Sequence, residues 1–259
     1  MKRVKYWAVV DAQRLGDLRT RLIAWFSDEG RVLPWRETRD PYAILVSEIL
    51  LHQTTVATVS PVYERFLARF PTVSDLAQAP LDEIKAITDP LGYKIRGSWL
   101  SAIARAVVRD YDGRVPDTLE ALMALPGVGR YTAGAVLTFA YGHAAGILDT
   151  NVARVMARLF RIGESPGGAE RLHRLWALAE AVVPETDPWR FNQGLMDLGA
   201  TVCRAHKPAC LTCPLAELCP SQGLTGGVAA EGEPDGVMFW ERPRPARSRK
   251  LADSLSEPA

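Results

Sequence analysis

The four cysteines of this 259-residue chain lie in one short segment, CRAHKPACLTCPLAELC. They are Cys203, Cys210, Cys213 and Cys219, separated by six, two and five residues. Disulfides usually spread over a small secreted domain, whereas clustered cysteines in a chain that is not secreted are typical of metal binding. Four thiolates suit zinc or an iron–sulfur cluster, and the single Cys-x-x-Cys pair slightly favours the cluster. We expect His206 to be an exposed side chain rather than a ligand.

A second chemical signal is LPGVGRYTAG, residues 125–134, which separates two helical patterns. Gly127 and Gly129 allow a positive φ or a close approach by another molecule. The next helix begins near Arg130, and the N–H groups of its first turn can bind a phosphate. The segment is typical of a helix-hairpin-helix, which contacts the DNA backbone without reading the base sequence. The alternative is a tight turn between two helices that binds nothing.

Two acidic residues have surroundings that suit catalysis. Glu48 lies in ILVSEILLHQTT, among apolar residues on both sides, where burial would raise the pKa of its carboxyl group. Asp149 and Asn151 lie in ILDTNVARV, at the start of a helical pattern. Each acid also has an alternative explanation without catalysis. Glu48 could face solvent from an amphipathic helix, and Asp149 could be a helix N-cap.

Helices must position these residues, because helical periodicity dominates the chain. Residues 15–26 have helical spacing and Gly30 supplies a stop. The segment PYAILVSEILLHQTTVATVSPVYERFLARF predicts two helices with a break near residues 52–55 and Pro61 in an early turn of the second helix. Further helical segments are SWLSAIARAVVRDY, TLEALMAL, YTAGAVLTFAYG, NVARVMARLF and RLHRLWALAEAVV. Alternating strand patterns are nearly absent, so the sequence predicts an all-α fold.

Composition identifies no partner, because the net charge is only +1. No apolar run approaches the ~18 residues of a membrane span. The N-terminal MKRVKYWAVV is followed by polar residues with no small-residue cleavage site, so we expect no signal peptide and a cytoplasmic protein. We expect residues 221–259 to be a disordered tail. Its RPRPARSRK run is either an arm that attracts phosphates or merely solvated, and its apolar residues 237–240 could dock on the body.

Together these motifs resemble the helix-hairpin-helix DNA glycosylases related to endonuclease III, from about Leu33 to Cys219. LPGVGRYTAGA is similar to the hairpin, ILDTNV to the segment with the catalytic aspartate, and the cysteine spacing to the [4Fe–4S] loop of that family. The resemblance is strongest to the MutY-type adenine glycosylases, through LPWR, SEILLHQT, PVYERFLARFPTVSDLAQAP, LGY and FNQGLMDLGATVC.

The resemblance implies a monomer with two helical lobes and a cleft for double-stranded DNA that contains a mispair or lesion. Residues 36–143 would form a six-helix lobe, with the hairpin at about 117–142. Residues 1–35 and 144–220 would form the second lobe, with a [4Fe–4S] cluster held by the cysteines of residues 203–219. The family generally continues into a Nudix-like domain, which we do not expect in the roughly 40 residues after Cys219.

The resemblance also implies the reaction. Glu48 would be the acid that protonates adenine, and an ionised Asp149, held by Asn151, would stabilise the sugar cation. Relatives that cut the strand have a lysine where this chain has Tyr131, and a phenol cannot form an imine. We therefore expect an enzyme of bacterial or archaeal DNA that removes adenine opposite guanine or 8-oxoguanine and stops. The alternatives are a thymine glycosylase acting on G·T mispairs and a non-catalytic iron–sulfur DNA-binding protein.

Two further sets of residues receive roles through the resemblance. The expected base pocket consists of Trp35, Arg36, Val56 and Gln193. The expected DNA contacts are Gln53, Thr54, Tyr93, Gly127, Gly129 and Arg130. The MutY-type branch usually has a glutamine where this chain has His52. The resemblance therefore does not imply that His52 makes the contact with the opposite DNA strand.

Overall fold

Eleven α-helices account for most of the residues that the structure, a computed structural model, describes, which are 6–163, 168–224 and 236–241. They are α1 (Ala12–Glu29), α2 (Pro41–Leu50), α3 (Val56–Arg69), α4 (Val73–Gln78), α5 (Leu81–Thr88), α6 (Ile95–Asp110), α7 (Leu119–Ala124), α8 (Arg130–Phe139), α9 (Thr150–Leu159), α10 (Gly168–Val182) and α11 (Pro188–Asp197). The all-α prediction is confirmed. In the described part of the chain, no helix has the length and apolar character that a bilayer crossing requires.

Capping residues set the boundaries of the helices around the predicted break. Asp40 caps α2 by accepting from the N–H groups of residues 42 and 43, and Pro41 occupies the first helical position, where its missing N–H costs nothing. Thr55 caps α3, which contains Pro61. The break predicted near residues 52–55 is therefore confirmed.

Within residues 36–143 the structure has seven α-helices, α2 to α8, instead of the expected six. A capping box at Thr72 and Asp75 starts α4 as a short separate helix soon after α3 ends at Arg69. The helix α2 packs against α3, α6 and α8, and α11 packs against α1, α8 and α9. The division into two lobes stays a prediction.

A two-stranded antiparallel sheet joins the two ends of the described chain. It consists of β1 (Tyr6–Val10) and β2 (Val237–Glu241), and β1 packs against α10. The prediction of a disordered tail is wrong for residues 221–224, where the buried Ser221 hydroxyl donates to the Arg158 carbonyl at 2.8 Å. It is also wrong for residues 237–241, because this segment pairs with β1, as the alternative of a docked apolar segment expected. Both faces of the sheet carry apolar residues, so the polar alternation that reveals a strand is missing. Residues 225–235 and 242–259 of the predicted tail lie outside the described residues.

The predicted hairpin is present as α7 and α8, joined by residues 125–129. Gly127 has φ 73°, and a Cβ atom there would lie 2.4 Å from the Trp99 ring, so the turn requires glycine on both counts. Gly129 has an ordinary φ of −89° and is the N-cap of α8. No side chain caps this helix, so N–H groups of its first turn remain available to an anion.

Candidate active site

Glu48 is the centre of the candidate site. It lies on α2, in which every residue from Tyr42 to Leu50 is buried, and it is itself only 3% exposed. The pKa of its carboxyl group is raised from 4.5 to about 7: burial is the largest cause and the charge of Asp149 also raises it, while Tyr131 and Arg36 partly offset this rise. Its Oε2 atom has no hydrogen-bond partner. The expected rise in pKa is confirmed, and the solvent-facing alternative for Glu48 is wrong.

Tyr131 brings a phenol to this carboxyl group from the first turn of α8. Its side chain interacts electrostatically with Glu48, and its hydroxyl donates to the Met196 sulfur at 3.9 Å. Burial raises the pKa of Tyr131 well above its ordinary value, and the charges of Glu48 and Asp149 raise it further. The phenol therefore stays protonated beside the Glu48 carboxyl group.

Asp149 approaches the same region from the N-terminus of α9. One carboxylate oxygen accepts from the Val152 backbone N–H at 2.7 Å, and the other accepts from the Asn151 amide at 3.1 Å. The N-cap explanation is thus correct. It does not exclude a catalytic role, because the charge of Asp149 acts on both Glu48 and Tyr131.

Asn151 is itself held in place by Arg154, a residue that the sequence did not single out. The Arg154 guanidinium donates to the Asn151 side-chain oxygen at 2.8 Å and to the Gly199 carbonyl at 2.7 Å. It also donates to the Cys203 carbonyl at 2.8 Å. A Cβ atom at Gly199 would lie 2.7 Å from the Asn151 Cβ. The orientation of Asp149 is therefore connected through Arg154 to the start of the cysteine segment.

Arg36 lies in a buried ion pair rather than facing an open pocket. It follows Trp35 in a 3-10 turn, Pro34–Arg36, and donates to both carboxylate oxygens of Asp197 at 2.9 and 2.8 Å. Burial would raise the pKa of Asp197, but hydrogen bonds from Arg36 and Arg31 hold it below its ordinary value. Arg36 thereby places a fixed positive charge near Glu48. No local sequence signal selects Asp197, because its partners lie more than 160 residues away in the chain.

The other expected pocket residues are placed as follows. Trp35 is buried, with its ring edge-to-face against Tyr63 at 5.5 Å. Val56 is the first residue of α3 and is partly buried. Gln193 lies on α11 and is 3% exposed. Their contact with a base stays a prediction.

Trp99 joins three segments that were expected to contact DNA. Its ring lies edge-to-face against His52 at 5.7 Å and against Tyr93 at 5.6 Å, and it packs against Gly127 of the hairpin turn. The sequence does not predict that Trp99 contacts these three segments, because a tryptophan is an ordinary residue inside an amphipathic helix. The segments after α2, before α6 and between α7 and α8 therefore share one side-chain contact.

Arg96, also unforeseen, joins two of these segments through their backbones. It is fully buried at the start of α6, and its guanidinium donates to the carbonyl oxygens of His52 and Tyr93. The following Gln53 is exposed and has a positive φ of 52°, and Thr54 is partly buried. Arg96 thus fixes the chain immediately before the exposed, left-handed Gln53.

The Arg130 side chain is directed towards α10. Its guanidinium lies 4.5 Å from the centre of the Trp176 ring and forms an ion pair with Glu180. The structure therefore offers the backbone N–H groups of the α8 N-terminus, rather than this guanidinium, as the simplest phosphate contact of the hairpin.

The four cysteines line one cavity, together with Arg158, Pro208 and Ala209 among others. All four are free thiols and partly buried, and Arg158 donates to the Cys203 sulfur at 3.3 Å. The pKa of Cys213 is raised to about 11, mainly by burial and also by the other three cysteines, while a backbone hydrogen bond from Leu215 partly offsets the rise. In the described part of the chain, no group of three or more His, Cys, Asp and Glu side chains is arranged to hold a single metal ion. The donor set and the shared cavity fit a cluster that four thiolates bind together.

Comparison with known proteins identifies the class. Residues 46–181 match the HhH-GPD superfamily of base excision DNA repair proteins, and the chain belongs to this superfamily. It is 43% identical over 229 residues to adenine DNA glycosylase of Rattus norvegicus, covering 84% of this chain and 44% of the rat protein. It is 41% identical over 202 residues to thymine/uracil-DNA glycosylase of Methanothermobacter thermautotrophicus, covering 77% of this chain and 90% of that protein.

The fold is also similar to that of a non-covalent endonuclease III–DNA complex, with a TM-score of 0.68 and 27% identity. The similarity covers 83% of this chain and 97% of that one. The expected family is confirmed. The chain spans less than half of the length of its rat relative, and adenine and thymine glycosylases resemble it to nearly the same degree.

The buried Glu48 predicts a pH-dependent stability. Its pKa is about 7 in the folded protein against an ordinary 4.5, so its contribution to stability is fully present below pH 4.5 and is lost as the pH rises through 7. We expect Glu48→Gln to remove this loss. We measure the unfolding free energy of both proteins by urea titration at each pH. The value for Glu48→Gln minus the value for the unaltered protein should rise by about 2 kcal/mol between pH 5 and pH 8. The exposed Glu64→Gln is the control, and an equal change in both variants would contradict the buried-carboxyl account.

Proposed function

We propose that this protein is a monofunctional DNA glycosylase that removes adenine mispaired with guanine or 8-oxoguanine and leaves an abasic site. One observation carries the proposal: a buried carboxyl group with a pKa of about 7 interacts with a buried phenol and with the charge of a second carboxylate. The hydrolysis of a glycosidic bond uses two carboxyl groups in different environments, one of them an acid with a raised pKa. The adenine glycosylases among the relatives support the choice of base.

The reaction begins with the adenine flipped out of the duplex, because a stacked base cannot be reached. The neutral Glu48 carboxyl group donates its proton to N7 of adenine. The bond between C1′ and N9 then breaks, and its electron pair goes to the purine. The sugar is left as an oxocarbenium-like cation, which the carboxylate of Asp149 stabilises. Water adds to C1′, and its proton returns to the Glu48 carboxylate.

Tyr131 determines that the reaction stops at this point. A lysine amine at this position could attack C1′ and form an imine, through which the strand is cut, whereas a phenol cannot. Tyr131 acts on Glu48 through the interaction of their side chains and remains protonated throughout, as its raised pKa favours.

The choice of adenine over thymine depends on few residues. Gln193 can both donate and accept a hydrogen bond, which suits the N1 and N6 edge of adenine, and Val56 would fill the space beside the base. Thymine has no N7 for Glu48 to protonate. A thymine glycosylase acting on G·T mispairs is the second candidate, favoured by the 41% identity to the thymine/uracil enzyme that the chain matches over 90% of its length.

We also infer that Cys203, Cys210, Cys213 and Cys219 hold a [4Fe–4S] cluster. When bound, the cluster would supply structural cross-linking of residues 203–219 rather than a step of base removal. Arg154 donates to the Cys203 carbonyl and to Asn151, which in turn donates to Asp149. An ordered cysteine segment would therefore help to hold Asp149 in position.

The proposed partner is double-stranded DNA that contains the mispair, bound in a cleft by the hairpin and by the segments around Gln53 and Tyr93. The structural similarity to endonuclease III in complex with DNA supports this binding mode. We propose that the protein acts as a monomer in the cytoplasm, on the DNA of a bacterial or archaeal nucleoid. A non-catalytic DNA-binding protein would not need the carboxyl pair of Glu48 and Asp149.

The substrate proposal is tested with duplexes that each contain one mispair, under single-turnover conditions. We expect release of adenine from A·G and A·8-oxoguanine, and release of thymine from G·T at least about tenfold slower. Glu48→Gln should abolish release while retaining mispair binding, and Glu64→Gln should release adenine normally. Faster release of thymine would establish the second candidate, and binding without any release would indicate the non-catalytic one.

The monofunctional proposal is tested by changing Tyr131→Lys. An amine at this position should gain some strand cleavage, and borohydride should trap the variant covalently on DNA, because reduction fixes the imine. The unaltered protein and Tyr131→Phe should not be trapped on a denaturing gel. Trapping of the unaltered protein would show that another amine attacks the sugar and would contradict the proposal.

The cluster proposal is tested by purification without air. We expect a brown protein with about four irons and four sulfides per chain. Cys210→Ser should lose the colour and the binding of DNA, whereas the neighbouring exposed Thr212→Ser should keep both. A colourless, active protein with stoichiometric zinc would be incompatible with the cluster.

A further inference from the structure

The turn after α2 holds a glutamine in a conformation that glutamine disfavours. Gln53 is exposed and has a φ of 52°, in the left-handed region where the backbone crowds a Cβ atom. The backbone bonds of this turn are long. The nitrogen of His52 lies 3.4 Å from the Ile49 carbonyl oxygen, and that of Thr54 lies 3.4 Å from the Leu51 carbonyl oxygen. Such a conformation persists only where the surrounding structure holds it.

His52, the residue before Gln53, is held at two points. Its carbonyl oxygen accepts from the buried Arg96 guanidinium of α6. Its imidazole Nε2 is hydrogen-bonded to the Thr132 hydroxyl of α8 at 3.3 Å, and the ring lies edge-to-face against Trp99. Burial and the charge of Arg96 lower the pKa of His52 below its ordinary value, so the ring is neutral at pH 7. The peptide that leads into Gln53 is therefore fixed from both α6 and α8.

The contact with Thr132 connects His52 to the candidate active site. Thr132 is 2% exposed and directly follows Tyr131, whose side chain interacts with Glu48. Glu48 and His52 are four residues apart across the end of α2, and their partners on α8 are adjacent. The first turn of α8 therefore contacts the proposed acid through one residue and the turn of Gln53 through the next.

We propose that His52 is a positioning residue: through Thr132, its imidazole holds the turn of Gln53 at a fixed place relative to Glu48. In the proposed mechanism the adenine must leave the duplex before Glu48 can protonate it. A DNA-contact residue that is fixed relative to the acid delivers the base in one orientation, which raises the rate of release more than the affinity for DNA. The role rests on the proposed function, because contact between Gln53 and DNA is part of it.

The role of the side chain is tested by single-turnover release from an A·G duplex at saturating protein. His52→Phe keeps a ring against Trp99 but leaves the buried Thr132 hydroxyl without this partner. We expect release to be about tenfold slower, while the affinity for the duplex changes by less than about twofold. His52→Gln should restore most of the rate, because its amide extends as far as the imidazole Nε2 and forms hydrogen bonds. Release by His52→Phe at the unaltered rate would overturn the proposal.

Thr132→Val tests the same bond from α8, and Thr138→Val is the matched control. Thr138 is also buried on α8, but its hydroxyl donates to the Ala145 carbonyl at 3.1 Å. Both variants should melt at a lower temperature, and only Thr132→Val should release adenine more slowly, by about tenfold. The double variant with His52→Phe should also be about tenfold slower rather than about a hundredfold, because both changes remove one bond. Equal slowing by Thr138→Val, or multiplied effects in the double variant, would refute a positioning role.

Fluorescence separates this role from the proposed function. The base analogue 2-aminopurine replaces the target adenine opposite guanine, and Glu48→Gln in every protein prevents release. Extrusion of the base ends its stacking and raises its fluorescence. We expect a smaller rise when His52→Phe is added and the full rise when Thr138→Val is added. An equal rise with and without His52→Phe would remove the positioning role and leave adenine release unaffected. A smaller rise, in a protein that releases no base without Glu48→Gln, would support the role and contradict the proposed function.

Discussion

The cost of ionising Glu48 inside an apolar helix is the constraint around which the site is organised. The residues of α2 before and after Glu48 are buried, so water cannot solvate its carboxylate. Burial and the charge of Asp149 favour the neutral acid, whereas Tyr131 and Arg36 favour the anion. The balance holds the pKa at about 7, where a carboxyl group can give up a proton and take it back near neutral pH.

The groups that set this balance are themselves held by partners distant in the chain. Arg36 keeps its position through Asp197, and Asp149 through Asn151 and Arg154, which reaches the cysteine segment. These bonds are buried or partly buried, where losing one partner leaves the other unsatisfied. At neutral pH the buried Glu48 carboxyl group lowers the stability of the folded protein. The packing of the core helices compensates for this cost and keeps the arrangement in place.

Local signals predicted much of this structure, because periodicity, caps and glycines act over a few residues. They predicted the break between α2 and α3, the hairpin, and the apolar setting of Glu48. They did not predict the pairing of Arg36 with Asp197 or the contacts of Trp99, since both depend on tertiary packing that no sequence period encodes. The strand β2 was missed because five residues with two apolar faces show no alternation. Family membership does not determine which base the protein removes, because that choice depends on a few side chains such as Gln193.

Titration of the Glu48 carboxyl group itself tests the central claim most directly. Infrared difference spectra of the unaltered protein and of Glu48→Gln, recorded from pH 4 to pH 9, isolate the carboxyl band of this one residue. We predict a band that converts to carboxylate with a midpoint near pH 7 and that is missing from the variant. A midpoint near the ordinary value of 4.5 would show that Glu48 is ionised at neutral pH and would contradict its role as the acid.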